Sequence, residues 1–433
     1  MQILSGRFWL IIGIVFGLLL FGMATLQGGV IILTIPFLIY LAVAIIFAPP
    51  EMQFKADRQI DAPVVAQNSP VQVRISIKHE GPGADELYIM DEPPPQLEPI
   101  QGQTMQLRPL QSGEAFEYDY TVRCARGRYF FSGITITLGE HFGLLQRRIP
   151  LPIAGEIRSV PEVPRLRKIF ISPQQTRGFS GPIPSRQGGS GMIFWGVREY
   201  NMGDYLRRIN WKVSSRHLQD LFTNEYEQER IADVGLILDA REKTNISVDA
   251  LSLFEYSVLA TASLAEYFLA DGHRVSLLAY GYSLERVFPG YGKVHKKRIY
   301  HALAQMETGT NYALENFNFL PTRLFPARCQ LVIISPLQPR DYPAIVRLIT
   351  AGYDVMLISP DPVEFEAKSF DVSPELQQAI RLARVERSVL LHKLARLGVR
   401  VVNWQVDQPF EQTIYTALGR RPLFRRNLRA VSR

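Results

Sequence analysis

The chain has 433 residues, of which 47% are hydrophobic and 21% charged, with a formal net charge of +7. At roughly 100–200 residues per domain, the length predicts two or three domains, and the composition excludes wholesale disorder. Mean hydropathy is zero, with the apolar excess at one end: Arg7 is the single charged side chain in residues 1–50, a poor fit to a purely soluble protein. Cys124 and Cys329 supply neither a disulfide framework nor a zinc site; they are expected as free thiols in a reducing compartment, with one isolated bridge as the alternative.

Phe8 to Leu26 reads FWLIIGIVFGLLLFGMATL and Gly29 to Ala48 reads GVIILTIPFLIYLAVAIIFA. Each is about 19–20 residues, enough to cross ~30 Å of hydrocarbon as a helix. A cleavable signal peptide fits worse, because the first run is too long, a second follows, and no small-x-small cleavage site lies between them. Residues 1–50 are therefore expected to form a transmembrane helical hairpin, stopped by Pro49-Pro50, in the cell (inner/plasma) membrane. Arg7 precedes it, Lys55 and Arg58 follow, and the turn is uncharged, so the positive-inside rule places the body in the cytoplasm. The opposite orientation is the alternative.

Residues 51–160 change to period two. VQVRISIKH (Val71–His79), EAFEYDYTVRCA (Glu114–Ala125) and YFFSGITITL (Tyr129–Leu138) alternate apolar and polar residues between Pro and Gly clusters, which predicts a β-sandwich. His79 and His141 are singletons without partners at metal-ligand spacing, so no chemistry is visible here.

Residues 161–187, rich in Pro, Gly, Arg and Ser, read as an extended linker. Next comes a dense polar stretch, Gly188–Arg230. In it Arg198, Glu199, Asp204, Arg207, Arg208 and Arg216 fall among Phe194, Trp195, Tyr200, Tyr205 and Trp211. Arginines beside carboxylates and aromatics form stacked, bidentate networks. Three readings stay open: a structural clasp locking the linker onto the next domain, a protein-docking surface, or a phosphate site using Gly188, Gly189 and Gly191. No P-loop spacing supports the last.

Beyond Ile231 short Val/Ile/Leu-rich runs at 233–239, 274–280, 330–335, 353–358 and 399–404 alternate with helical-period stretches at Val248–Leu269, His295–Met306, Tyr342–Thr350 and Pro374–Leu397. This predicts an α/β domain with a mostly parallel sheet covered on both faces. Ligands bind such sheets outside the carboxyl ends of the strands, and Asp239 sits at one of them.

The run R-E-Y-x-x-G-D-x-x-R-x-I-x-W-K-x-S-x-R, present as Arg198–Arg216 and followed by a strand ending in Asp239, resembles the domain-of-unknown-function 58 (DUF58) family of bacteria and archaea. ARGRYFFSGITITLGEHFGLLQRR (Ala125–Arg148) resembles a further stretch of the family, with Glu140-His141 in place of Asp-Pro. The resemblance covers nearly the whole chain. It implies a von Willebrand factor A-like (Rossmann-like) domain over 188–419, with Tyr200 and Gly203 joining the arginines, Asp204 and Trp211 in the family motif.

Metal-binding type A domains supply Asp-x-Ser-x-Ser, a loop Thr and a later Asp around magnesium. Here DAREK places Arg241 and Lys243 where the serines would be; Thr310 matches the threonine, and Pro336 replaces the last carboxylate. Two cations in the site would repel a divalent ion, so no metal and no cofactor are expected, and Asp239 is expected to pair with Arg241, Lys243 or another nearby cation.

No HExxH, GxSxG, dinucleotide fingerprint or CxxC appears, and the chain is not read as an enzyme. The tail 420–433 carries six arginines and no acid, which suits anionic lipid, an acidic partner, or simply solvent. The family resemblance implies a MoxR-type AAA+ ATPase and a membrane transglutaminase-like protein as partners. The expected function is a membrane-anchored, non-enzymatic adaptor, with no nucleic acid bound. The alternatives are an outward-facing envelope-binding module and a nucleic-acid or phosphate-handling enzyme built on the arginine cluster.

Overall fold

The computed structural model describes every residue except 1, 5, 49–51, 81–83, 112, 140–143, 168, 170–182, 218–219, 249–250, 283, 311–323, 371–372 and 419–433. Glu140, His141, part of the linker and the basic tail lie outside the described residues. The chain divides into two compact units, Met1–Val160 and Pro161–Arg433.

In the first unit, helices Gly6–Thr25 and Gly28–Ile46 have mean hydropathies of 2.3 and 2.7 and are long and apolar enough to cross a membrane. The second is interrupted at Leu33, because Pro36 has no amide hydrogen to donate to the Ile32 carbonyl. The hairpin is not a loose tether. Phe8 and Ile11 of one helix and Tyr40, Leu41 and Ala44 of the other pack on Leu144 and Leu145. Strand Gln2–Leu4 pairs antiparallel with Leu145–Arg147.

The rest of this unit is a β body. One sheet is Gln53–Ile60, Pro70–Glu80, Ala115–Cys124 and Leu97–Gln101; a second contains Leu145–Leu151, Ile134–Gly139, Ala84–Asp91 and Met105–Leu110; a third is Val64–Ala66, Gly155–Val160 and Gly127–Phe131. Alternate residues such as Val73, Ile75, Ile89, Val122, Ile136 and Ile157 form one shared core.

The single strand expected at Tyr129–Leu138 is two strands, in different sheets. Gly133 breaks it with φ +143°, and a Cβ there would stand 2.5 Å from the Leu151 carbonyl oxygen. Arg58, expected to be a charge flanking the membrane, is fully buried with Asp91. It donates to that carboxylate and to the Gly133 and Ile153 carbonyls, and Tyr120 donates to the other Asp91 oxygen at 2.6 Å. Its charge is therefore spent inside the β body. His79 is buried against the Phe54 ring.

The second unit carries the parallel strands the alternation predicts: β1 (Asp233–Asp239), β2 (Arg274–Tyr280), β4 (Gln330–Ile334), β5 (Asp354–Pro360) and β6 (Arg400–Trp404). An edge strand, β3 (Leu284–Gly290), which the sequence reading lacks, joins antiparallel to β2. The order is β3-β2-β1-β4-β5-β6.

Helices α1 (Leu253–Ala270), α2 (Gly292–Gln305) and α5 (Phe410–Leu418) cover one face through Val258, Phe268, Ile299 and Ile414. Helices α3 (Tyr342–Thr350) and α4 (Pro374–Arg396) cover the other through Ile345, Leu348, Leu391 and Leu394. The helix expected from Val248 begins five residues later, because Ser247-Val248 and Leu251-Ser252 form a tiny hairpin and Ser252 caps α1. Cys124 and Cys329 are buried free thiols. The described part of the expected linker packs on this unit: Val163 and Leu166 lie against its core, and the Ile169 amide donates to the Tyr267 hydroxyl at 2.9 Å.

Candidate functional site

In this strand order the chain leaves the sheet in opposite directions after β1 and β4, opening a crevice at their carboxyl ends. Among the described residues, the Arg241 side chain occupies it. Arg241 Nε and Nη2 donate to Asp239 Oδ1 and Oδ2, both at 2.8 Å; Nη1 and Nη2 donate to Asp341 Oδ1 and Oδ2 at 2.9 and 2.8 Å. All four carboxylate oxygens are thus taken by one guanidinium. Ser335 Oγ adds a 2.6 Å bond to Asp239 Oδ2, and the Gln338 amide donates to Asp341 Oδ2 at 3.0 Å.

The three charged side chains are 9% exposed or less. Burial pulls the Arg241 pKa down, but its bonds to Asp239 and Asp341 outweigh that and hold it above the ordinary arginine value. An ion bound to these oxygens at 2.0–2.6 Å would have to displace the guanidinium. The residues present therefore do not fit a divalent cation; the arginine takes its place.

The expected site is corrected in two respects. Among the described residues the cation paired with both carboxylates is Arg241, whereas Lys243 is exposed and its carbonyl accepts from Gln338 Nε2. The second carboxylate in the crevice comes not from position 336 but from Asp341, just before α3. Thr310 is exposed beside Gly309, which bridges to Arg241. Pro336 is buried, and its carbonyl accepts from Arg387 at 2.7 Å.

Arg387 is a second buried arginine at this end of the sheet. From α4 it gathers the Pro336, Ser359 and Pro360 carbonyls, Ser359 Oγ and Asn403 Oδ1, with Asp361 3.4 Å away. Burial lowers its pKa. Neither Asp341 nor Arg387 was singled out in the sequence. Arg387 carried a signal: it stands four residues before Leu391 on the apolar stripe of a helix, where a charge needs buried partners.

The arginine-rich motif lies on a projecting arm. Strands Ile183–Glu199 and Phe222–Arg230 pair antiparallel with register shifts. Arg198 Nη1 and Nη2 grip Asp204 at 2.8 and 2.7 Å, and the Asn201 amide donates to the same carboxylate at 3.0 Å. Tyr200 donates to the Asp204 carbonyl, and Gly203 takes φ +109° in the turn. Hydrogen bonding from Arg198 holds the Asp204 pKa below the ordinary carboxylate range.

The Arg198–Asp204 clasp joins two residues of the arm and closes a loop. Arg207 and Arg208 stack on Tyr205, and Arg208 also on Tyr226. Glu199, Lys212 and Arg216 are exposed. So are Phe194, Met202, Tyr205, Leu206 and Trp211, at 57–102%.

Residues 196–367 match the family model described as "Protein of unknown function DUF58". The uncharacterized protein YeaD of Bacillus subtilis (strain 168) is 25% identical over 296 residues, 66% of this chain and 71% of that protein. Among solved structures, the CARDB domain of a Pyrococcus furiosus protein is 13% identical, with a TM-score of 0.18, covering 26% of this chain and 96% of its own. A non-cellulosomal cohesin of Archaeoglobus fulgidus is 16% identical, with a TM-score of 0.17, covering 24% and 91%. Neither structure bears on what this chain does. The DUF58 match takes in the Arg198–Arg216 motif, Asp239, Arg241, Thr310, Pro336 and Asp341; Arg387 lies beyond it.

Proposed function

We propose that this protein is a membrane-anchored, non-enzymatic adaptor of the cell membrane that works with a MoxR-type AAA+ ATPase in assembly or maturation of client proteins. The N-terminal hairpin is the anchor, the β body a sandwich-like spacer, and the α/β unit a von Willebrand factor A-like domain with its ion site closed by arginine. The order β3-β2-β1-β4-β5-β6, that of Rossmann-like sheets, supports the last assignment. The soluble body lies on the cytoplasmic side, within reach of an ATPase.

The observation that carries the reading is the outer face of the arm. Trp211, Tyr205, Leu206 and Met202 stand exposed around Arg207 and Arg208, and Trp, Tyr and Arg are the residues that dominate protein–protein hot spots. With the crevice plugged by Arg241, recognition falls to shape and charge rather than to a shared ion.

The test is co-purification from native membranes of full-length protein carrying Arg207→Glu and Arg208→Glu. Recovery of the ATPase is expected to fall at least about tenfold, as hot-spot losses of ~2 kcal/mol or more imply. The Arg198–Asp204 clasp and the Asn210 cap keep the arm folded. Undiminished recovery removes the docking role, and a fluorescent reporter after Arg433 that stays dark in the cytoplasm removes the orientation.

A further inference from the structure

A second surface of the α/β unit has its own chemistry. Between β3 and α2 the chain reads LERVFPGYGKVHKKR (Leu284–Arg298), and Glu285 is the only acid in residues 284–305. The inner side of α2 is settled: His295, Ile299 and Leu303 are buried, His295 Nε2 lies 2.7 Å from the Val275 carbonyl oxygen, and Lys296 pairs with Glu266 at 2.6 Å. Helical geometry turns Lys293, Lys297 and Val294 to the opposite side, with Arg298 beside them, and all four are exposed. Phe288, Tyr291 and Val294, three residues apart, are 60%, 74% and 69% exposed.

Scattered exposed apolar side chains are ordinary. Cations with aromatic and aliphatic residues between them, and a single acid in the same stretch of sequence, are the make-up of segments that lie in a membrane interface: rings and methyls enter the headgroup boundary while lysine and arginine meet phosphates. We infer that the Phe288–Arg298 surface binds an anionic lipid headgroup layer, giving the α/β unit a peripheral membrane contact of its own. The occupant is chosen by charge complementarity and by the two helices on the same chain that are long and apolar enough to cross a bilayer. A chain so anchored holds this surface at high effective concentration near lipid. The inference rests on that anchoring.

The test uses full-length protein in nanodiscs of phosphatidylcholine, alone or mixed with phosphatidylglycerol. Val294→Cys is labelled with an environment-sensitive fluorophore, the native thiols being buried. A blue shift and quenching by a lipid-borne quencher are expected in anionic discs only, and are lost at high salt. A label at exposed Leu251→Cys serves as the control and stays unshifted.

Each cation near an anionic surface contributes about fivefold to partitioning. Reversing Lys293, Lys297 and Arg298 to Glu is therefore expected to shift the equilibrium by at least about a hundredfold, the loss of the three attractions alone. Lys293 lies in the first turn of α2, where an acid suits the helix dipole, and hydrogen exchange of β2 and β3 checks that the variant is folded. An equal response to neutral and anionic lipid overturns the inference, as does salt-sensitive oligonucleotide binding without a lipid response. If the chain enters neither kind of disc, the anchor reading fails separately. Flotation with anionic but not neutral vesicles then still supports the surface, and its absence sinks it.

Discussion

Arg241–Asp239 and Arg198–Asp204 are the same chemical device in two settings. Each is a guanidinium gripping a carboxylate with two parallel bonds at 2.7–2.8 Å. In the crevice the two side chains are 9% and 0% exposed; on the arm they are 38% and 22% exposed. Inside, no water can take over a broken bond, so the clamp recruits Asp341, Ser335 and a backbone amide to satisfy every oxygen. Outside, water competes for the same bonds, and the clasp shapes one loop while its neighbours remain available to a partner. Burial, not the identity of the pair, decides which arginine holds the fold and which dresses a surface.

The largest effect is expected from Arg241→Met, which leaves two buried carboxylates facing each other. Removing one partner of a buried pair costs ~3–5 kcal/mol. That loss is expected in hydrogen-exchange protection of the β1 and β4 amides, a readout suited to a chain of two units that need not unfold together. Magnesium or calcium is expected to restore part of the protection in this variant, because four carboxylate oxygens and the Ser335 hydroxyl then surround a vacated cation position. The wild type is expected to be indifferent to both ions. A wild-type gain with either ion means that the guanidinium does not hold the crevice.

Arg241→Lys comes next. An ammonium is a compact point charge with three N–H donors and cannot serve all four carboxylate oxygens, so a loss of roughly 1–3 kcal/mol, the cost of stranding a buried acceptor, is expected in the same measurement.

The sequence made the parallel strands plain because each is short, apolar and bounded by helical period, and their ends agree with the runs to within a residue or two. Asp239 and its arginine were also legible, since they are two residues apart. Asp341 was not: it is a hundred residues further on, in a polar Gln-Pro-Arg-Asp-Tyr-Pro segment without periodicity, and only the order of the sheet brings it over β1. β3 escaped because it is an edge strand ending in Pro-Gly, and edges tolerate residues that central strands refuse. The arm escaped because register shifts break its alternation, so its arginines read as a cluster without a shape. Gly133 hid a change of sheet inside what looked like one strand.

The smallest effect, and the sharpest on the comparison, is expected from Arg198→Ala. Protection of β1 and β4 should not change, because the pair is only partly buried and internal to the arm. The consequence should be local and dependent on pH. Asp204 titrates below its ordinary range, first because Arg198 bonds it, then because the Asn201 amide does. A depressed carboxylate pKa means that the loop's extra order is present above the ordinary aspartate pKa and is lost as pH falls through the depressed one. In Arg198→Ala the Asp204 carboxyl, followed by carbon-detected NMR of selectively labelled protein, should titrate closer to the ordinary value, yet still below it while the Asn201 amide remains. If the variant instead unprotects β1 and β4, the arm braces the sheet, and the contrast between an inner clamp and an outer clasp fails.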